Sequence, residues 1–254
     1  MLYEPSRLRF HEELVERHRS SHPVPSRQGS LTVVVTAGPP GAGKSVAMQS
    51  FQDFRGFRHI DADDFKDLLL ERALDDDLLS RWTEHELCDG RPVAPRELSS
   101  YVHAESTIIA NTARTEALKR GEDVIVHGTL SQGAHADDLL AELDHHRYRR
   151  LTVVAVEVPC AVACQQALDR WWSLREQQSD PLGGRFIPPA VIRSHFEKDE
   201  RVSICSRNAR ALSEKAEALG WEVDLRLVAP PSHPDETHRT GRRMTPHDAG
   251  PPRA

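Results

Sequence analysis

The sequence predicts an α/β fold in which a parallel sheet of about five strands is covered by helices on both faces. Two observations carry this prediction. Short apolar runs alternate with segments of helical periodicity along the chain, and a glycine-rich loop joins one such run to a helix. Strand–helix–strand connections are almost always right-handed, which favours a parallel sheet with helices on its faces. The 254 residues are enough for one large domain with a buried core.

The predicted elements follow each other in order. The first strand covers residues 31–36, a β-branched run typical of a strand buried on both faces. Further strands are predicted at residues 57–60, 123–127, 151–158 and 222–228. Helices are predicted at residues 45–51, 64–74, 101–120, 134–145, 160–177, 189–197 and 202–219.

The two ends of the chain differ from its middle. Residues 1–29 are interpreted as an N-terminal helix and linker, because apolar positions at helical spacing give way to a stretch rich in Pro and Ser. Residues 30–228 form the predicted domain, and the charged segment 75–95 within it indicates an insertion or a mobile lid. Residues 229–254 hold almost no large apolar side chain, which predicts a disordered tail.

Composition limits the classes of partner. The formal net charge of −6 argues against charge-driven binding to nucleic acid or to an anionic membrane. No apolar run approaches the roughly 20 residues that span a bilayer, and the first residues lack a secretory apolar stretch. Cys160 and Cys164 share a helical face, but two further ligands at metal-binding spacing are missing. The sequence predicts a cytoplasmic protein without a nucleic-acid or membrane partner.

Residues 38–45 have the pattern of a phosphate-binding P-loop between a strand and a helix. The glycines let backbone N–H groups turn toward phosphate oxygens, and the helix that follows points its positive end at the same anion. Lys44 can reach the β- and γ-phosphates, and Ser45 can supply a hydroxyl to Mg²⁺. A P-loop NTPase fold of nucleotide-kinase type is therefore predicted, with the triphosphate bound by Gly38, Pro39, Pro40, Gly41, Ala42, Gly43, Lys44 and Ser45.

Two absences favour a small-molecule kinase among P-loop proteins. GTPases usually carry an Asn-Lys-x-Asp guanine signature, which the sequence lacks. Motor ATPases usually carry an apolar strand that ends in Asp or Asp-Glu, whereas residues 123–126 are followed by His127, Gly128 and Thr129.

A run of acidic residues follows the second predicted strand, in the segment Ile60-Asp61-Ala62-Asp63-Asp64-Phe65-Lys66. The carboxyl ends of parallel strands meet at one edge of a sheet, so these carboxylates should border the γ-phosphate. One of them could accept the proton of an attacking hydroxyl, and another could help to hold Mg²⁺ through water. Alternatively, Asp61 or Asp63 caps the next helix. Both functions are compatible if different residues serve them.

These motifs together resemble the zeta toxin family, which comprises P-loop kinases of toxin–antitoxin systems and their chromosomal relatives. The resemblance covers roughly residues 30–200, and its most specific part is the Asp-x-Asp-x-Phe-Lys element. It implies ATP-dependent phosphorylation of a hydroxyl of UDP-N-acetylglucosamine, with Mg²⁺. It also implies a small helical antitoxin as a possible partner.

The resemblance implies roles for individual residues. Asp63 would be the general base, and Lys44 would clamp the phosphates. Arg170 and Arg185 would neutralise charge on the transferred phosphoryl group, a function that phosphoryl transfer requires in any case, and Arg175 competes for this role. It implies that Glu105 and Thr129 contact the acceptor, and we add Lys66 and His127 as candidate acceptor-binding residues because of their positions in these motifs.

The sequence departs from the family pattern on the acceptor side. His127 stands where family members carry an acidic residue, and Ser131 stands where they tend to carry a basic one. A P-loop kinase for another small metabolite or an antibiotic therefore stays open. So does a nucleotide-gated interaction protein without turnover, in which residues 1–29 dock on the domain or occlude its site.

Overall fold

Five parallel strands form one sheet in the computed structural model, which describes residues 3–21, 31–197 and 202–228. The strands are β1 (Thr32–Ala37), β2 (Arg58–Ile60), β3 (Val124–Val126), β4 (Arg150–Val156) and β5 (Glu222–Val228). Their order across the sheet is β2-β3-β1-β4-β5, and every neighbouring pair is parallel. The predicted fold class and strand number are confirmed.

Helices connect the strands and follow the predicted pattern closely. They are α1 (Pro5–Ser21), α2 (Lys44–Gln49), α3 (Ala62–Asp75), α4 (Ser80–Thr83), α5 (His103–Lys119), α6 (Gly133–His145), α7 (Cys160–Gln177), α8 (Pro189–Arg193) and α9 (Ile204–Ala218). The short helix α4 was not predicted and lies within the segment 75–95. Helix α8 ends four residues before the predicted end at residue 197, because Phe196 forms an antiparallel bridge with Ser203 instead. Within the described residues, no helix combines the length and apolar character needed to cross a membrane.

Helices cover both faces of the sheet, as predicted. Alternate residues of a strand point to opposite faces, so Val33 and Val35 of β1 pack in one core cluster with residues of α5, α6 and α9. Val34 belongs to a second cluster, which contains residues of α2, α7 and α8. The strand that leads into the P-loop is thus buried from both sides, which holds that loop on a rigid support.

A third apolar cluster lies beside β2, at the edge of the sheet. It joins Leu14 of α1 to Ile60 of β2, Phe65 and Leu69 of α3, and Ile109 of α5. Through this cluster α1 packs on α3 and α5. Most of the predicted linker (residues 22–29) and the predicted C-terminal tail (229–254) lie outside the described residues.

Candidate active site

The P-loop leaves β1 at the carboxyl edge of the sheet, and its glycines are required by the backbone. Gly38 and Gly41 have φ angles of 144° and 83°. A Cβ atom on Gly41 would lie 2.1 Å from the carbonyl oxygen of Ala163, and one on Gly38 would lie 2.6 Å from that of Val156. Both distances are far below van der Waals contact, so any larger residue would push the loop away from β4 and α7.

Lys44 is folded back into the loop. Its ammonium group donates hydrogen bonds to the carbonyl oxygens of Gly38 at 2.7 Å and Pro39 at 3.1 Å. Burial lowers the pKa of Lys44 from its ordinary value. Ser45, the next residue, is exposed. A triphosphate in this loop would give the ammonium group an anionic partner in place of the two carbonyl oxygens.

The residues present fit a nucleotide-bound Mg²⁺. Within the described chain, no three His, Cys, Asp or Glu side chains are grouped to hold a metal ion by themselves. Mg²⁺ usually keeps few protein ligands and is held together with substrate phosphates. The exposed hydroxyl of Ser45 at the start of α2 is suited to that arrangement.

The loop after β3 is attached directly to the P-loop. The backbone N–H of Gly38 donates to the carbonyl oxygen of Thr129 at 3.1 Å. The hydroxyl of Thr36 donates to the carbonyl oxygen of Gly128 at 3.3 Å and accepts from its N–H at 3.0 Å. The side chain of Thr129 donates to the hydroxyl of Ser131 at 3.1 Å. Thr129, predicted to contact the acceptor, therefore lies beside the first glycine of the P-loop.

The two aspartates that open α3 have different partners. Asp61 caps the helix, because its carboxylate accepts from the backbone N–H of Asp63 at 2.9 Å. The carboxylate of Asp63 forms ion pairs with Lys66, at 2.8 Å, and with Arg185. The capping role thus belongs to Asp61, which leaves Asp63 for the site.

Electrostatics keep Asp63 ionised. Desolvation by the surrounding protein raises the pKa of Asp63, but the positive charges of Arg185 and Lys66 outweigh this effect. The pKa of Asp63 therefore lies below its ordinary value of 3.8. A carboxylate of this kind accepts hydrogen bonds at neutral pH and binds a proton weakly.

Arg185 is held by two carboxylates and is almost completely buried. Its side chain is 8% exposed, and besides Asp63 it contacts Asp67 at 2.8 Å. Asp67 also forms a two-pronged pair with Arg96, with both N–O distances 3.0 Å. Arg96 in turn reaches Asp180 at 2.6 Å. The Nε atom of Arg185 is buried and has no hydrogen-bond partner among the described atoms.

Arg170 is the exposed cation of the site. It lies on α7 with its side chain open to solvent. Burial lowers the pKa of Lys44, and the nearby charge of Arg170 lowers it further. The same charge helps to keep Asp63 ionised, after the larger effects of burial, Arg185 and Lys66. Arg170 is therefore close to both the P-loop lysine and the aspartate.

Arg175, the competing arginine, has a structural role. It is 4% exposed, and its Nε and Nη2 atoms each lie 2.7 Å from the carboxylate of Asp89. Its remaining N–H groups reach Glu97 at 3.0 Å and the carbonyl oxygens of Arg91 and Pro92 at 2.9 and 3.0 Å. A guanidinium has five N–H donors, and these contacts occupy them. Arg175 therefore holds the segment around Asp89 against α7, and it has no N–H group left to bind a phosphate.

His127 lies between the two halves of the site. The sheet order puts β3 between β1, which carries the P-loop, and β2, which leads to Asp63. The Nε2 atom of His127 lies 3.0 Å from Nδ1 of His59, and the two rings stack with centroids 5.1 Å apart. Burial lowers the pKa of His127, and the charges of His59 and Lys44 act in the same direction against those of Asp61 and Asp63.

Two histidines near the site were not among the predicted site residues. His59 lies within β2 and stacks on His127. A histidine in the strand that leads directly to the acidic run was the available signal. His103 opens α5, and its pKa is lowered by burial and by the charge of Lys66, with Asp63 opposing. Both residues lie near side chains that were predicted to contact the acceptor, His59 beside His127 and His103 near Lys66.

Most of the predicted site residues are brought together. Lys44, Asp63, Lys66, Arg170, Arg185, His127 and Thr129 lie around the carboxyl ends of β1, β2 and β3. The side chain of Glu105 is the exception. It is bound by Arg7 and His11 of α1.

Comparisons with known proteins point to one family. A family model described as Zeta toxin matches residues 16–203, well over half of the chain. A structure of the PezAT chromosomal toxin–antitoxin system of Streptococcus pneumoniae aligns with a TM-score of 0.58 and 15% identity, over 90% of this chain and 80% of that one. The AvrRxo1-ORF1:-ORF2 complex with ATP aligns with a TM-score of 0.57 and 17% identity, over 89% of this chain and 64% of that one.

This chain thus spans less than two thirds of its AvrRxo1 counterpart. At sequence identities of 15% and 17%, these two alignments show that the chains share a fold. No match was found among curated protein sequences.

Proposed function

Because this chain belongs to the zeta toxin family of P-loop kinases, we propose that it transfers the γ-phosphate of ATP to a hydroxyl of a nucleotide sugar such as UDP-N-acetylglucosamine. One observation carries the proposal. At the sheet edge that holds the P-loop, the carboxylate of Asp63 lies between the cations of Lys66 and Arg185. A base, a phosphate-binding lysine and a buried arginine are the groups that phosphoryl transfer uses.

Residues 38–45 hold the phosphates on the donor side. Backbone N–H groups of the loop and the ammonium group of Lys44 bind the β- and γ-phosphates. The hydroxyl of Ser45 would hold Mg²⁺, which would supply positive charge against the negative charge of the phosphates. Gly41 keeps the loop close to α7, where Arg170 can reach the same phosphates.

Asp63 receives the proton of the attacking hydroxyl. A bond forms between the acceptor oxygen and the γ-phosphorus while the bond between the β–γ bridging oxygen and that phosphorus breaks, and ADP leaves. Phosphoryl transfer has a loose transition state with little need for a strong base. The lowered pKa of Asp63 is therefore compatible with this role, since the residue only has to be ionised when the acceptor binds.

Arg185 and Arg170 stabilise the transferred group. Negative charge spreads over three equatorial oxygens in the transition state, and planar cations complement it. The Nε–H of Arg185 has no protein acceptor, so the guanidinium has one donor left for a phosphoryl oxygen once an arriving phosphate displaces part of the pair with Asp63. Arg170 approaches from the exposed side.

The acceptor is held by Lys66, Thr129 and His127. Lys66 is beside the base, and Thr129 is anchored to the P-loop. The hydrogen-bonded pair of His127 and His59 favours a second candidate, in which the acceptor is a different small metabolite or an antibiotic. Two imidazoles can donate and accept hydrogen bonds, whereas a carboxylate at this place only accepts.

A small helical antitoxin is the proposed protein partner, by analogy with the toxin–antitoxin system to which one similar structure belongs. Binding of such a partner to purified protein would support this part of the proposal.

The direct test is turnover. Purified protein with Mg²⁺ and ATP is incubated with UDP-N-acetylglucosamine, with other UDP-sugars and with a metabolite extract, and mass spectrometry identifies any phosphorylated product. Lys44→Ala serves as the inactive control. A product in the extract but not with UDP-sugars would favour the second candidate. ATP binding without transfer to any compound would overturn the kinase proposal and favour a nucleotide-gated interaction protein.

A further inference from the structure

Glu105, expected to contact the acceptor, is engaged by the N-terminal helix. Its Oε1 atom lies 2.6 Å from both Nε of Arg7 and Nε2 of His11, and its Oε2 atom lies 3.0 Å from Nη2 of Arg7. The Glu105 side chain is only 14% exposed. Despite burial, the hydrogen bonds from Arg7 and His11 hold the pKa of Glu105 below its ordinary value. An ionised carboxylate only accepts, so His11 carries the proton on Nε2.

The acceptor capacity of Glu105 is nearly used up. A carboxylate offers about four lone-pair positions. Arg7 and His11 occupy three of them, two on Oε1 and one on Oε2. A sugar hydroxyl could reach one position at most, and it would have to enter beside a guanidinium that already forms a two-pronged pair.

The side of α5 on which Glu105 lies also indicates that its carboxylate is not available to an acceptor. His103 is close enough to Lys66 and Asp63 for their charges to act on it. Glu105 comes two residues later, about 200° around the helix, and residues at this spacing do not face the same way. The side of α5 that carries Glu105 is turned toward α1.

Helix α1 is attached by more than this ion pair. Leu14 belongs to the apolar cluster that contains Phe65, and the ring of His18 lies 5.0 Å from that of Phe65. Phe65 follows Asp63 by two residues on α3. Helix α1 thus contacts the first turns of both α3 and α5, which carry Asp63 and His103.

The donors to Glu105 lie outside the part of the chain that the family accounts for. The Zeta toxin model matches from residue 16 onward, so Glu105 is inside the matched region while Arg7 and His11 precede it. The contact is therefore a property of this chain that membership of the family does not imply.

We propose that Glu105 anchors α1 and does not bind the acceptor, and that Arg7 and His11 are positioning residues for the first turns of α3 and α5. The consequence for the acceptor side rests on the proposed kinase function, whereas the anchor does not. A desolvated, two-pronged ion pair between elements far apart in sequence is suited to fix one helix against another.

A double-mutant cycle between Arg7 and Glu105 tests the anchor. We expect Arg7→Ala and Glu105→Gln each to lower Tm by roughly 3–8 °C. The double variant should melt within about 2 °C of the lower single variant, because both changes remove the same contact. Arg9→Ala, an exposed arginine on the same helix, is the matched control and should leave Tm unchanged. Additive losses in the double variant would overturn the anchor.

Two further measurements test positioning. In hydrogen–deuterium exchange, Arg7→Ala should speed exchange in residues 62–70 and 103–109 and leave residues 38–45 unchanged, with partial recovery in Arg7→Lys. Unchanged exchange in the first two segments would refute the positioning role, whether or not the protein is a kinase.

With UDP-N-acetylglucosamine as the acceptor, Arg7→Ala and Glu105→Gln should raise its KM about equally and leave the KM for ATP within about twofold. A large rise in Glu105→Gln alone would mean that Glu105 touches the acceptor. Absence of turnover in the unmodified protein would count against the kinase and not against the anchor.

Discussion

The guanidinium of Arg185 and the carboxylate of Asp63 form an ion pair at the carboxyl edge of the sheet. The proposed transition-state cation and the proposed base thus neutralise each other in this structure. Arriving phosphate and hydroxyl groups compete for the two partners, so the pair marks where donor and acceptor would meet.

Asp63→Asn should abolish transfer while ATP still binds. The amide keeps the shape of the side chain but cannot take the hydroxyl proton, so we expect kcat to fall by about 10²- to 10⁴-fold. The Kd for ATP, measured by calorimetry, should change by less than about threefold. Asp64→Asn alters the neighbouring exposed carboxylate and should retain activity. Full activity in Asp63→Asn would remove this residue as the base.

Two arginines on α7 should give opposite phenotypes. Arg170→Ala is expected to reduce kcat by about 10-fold or more with Tm unchanged, because the side chain is exposed and acts on the transferred group. Arg175→Leu removes the guanidinium that the carboxylates of Asp89 and Glu97 share, and should lower Tm by about 5 °C or more. If Arg175→Leu kept the Tm of the unmodified protein but lost activity, Arg175 would be the arginine that acts on the transferred group and the assignment to Arg170 would be wrong.

Gly41→Ala should damage the P-loop itself. The added methyl group meets the carbonyl oxygen of Ala163 at 2.1 Å, and α7 would have to move to admit it. We expect ATP affinity to fall by at least about 10-fold and the free energy of unfolding to fall by about 2–4 kcal/mol. Gly133→Ala is the control, because a Cβ there meets open space. Urea titration and ATP calorimetry on both variants provide the comparison.

Stability should decline in acid. The pKa values of Asp63, Asp89, Glu105 and Glu122 are all held below the ordinary values of 3.8 for Asp and 4.5 for Glu. The unfolded chain therefore binds protons more readily than the folded one. The stabilisation is fully present above about pH 4.5 and is lost as pH falls through the lower folded values.

Urea midpoints measured from pH 7 down to pH 3 should show this decline. Asp89→Asn should start from a lower midpoint and fall less steeply, because one of the contributing carboxylates is gone. A midpoint independent of pH in the unmodified protein would contradict the low pKa values.

The parts of the fold and site set by local patterns could be predicted from the sequence. A β-branched run followed by glycines, Lys44 and a helix identifies the P-loop without knowledge of the rest of the chain. The rule that parallel strands end at one edge then predicted that Asp63 would lie near that loop. The proximity of Asp63 to Lys44 in the structure agrees with this reasoning.

The two residues whose roles could not be predicted from the sequence, Arg175 and Glu105, have partners far away in sequence. Arg175 looked equivalent to Arg170 because its partners, Asp89 and Glu97, precede it by 86 and 78 residues. Glu105 is engaged by Arg7 across 98 residues. Periodicity reports only neighbours within a few residues, so it could not show that these charges were already neutralised.

The position of β3 between β1 and β2 has a consequence for inhibitor design. Adjacent strands are about 4.8 Å apart, so the strand that carries the P-loop and the strand that leads to Asp63 are separated by roughly 10 Å. Backbone hydrogen bonds set this spacing, and side-chain substitutions leave it unchanged. A compound that tethers an ATP mimic to an acceptor mimic must therefore match a fixed span, and its optimal tether length would measure the active site directly.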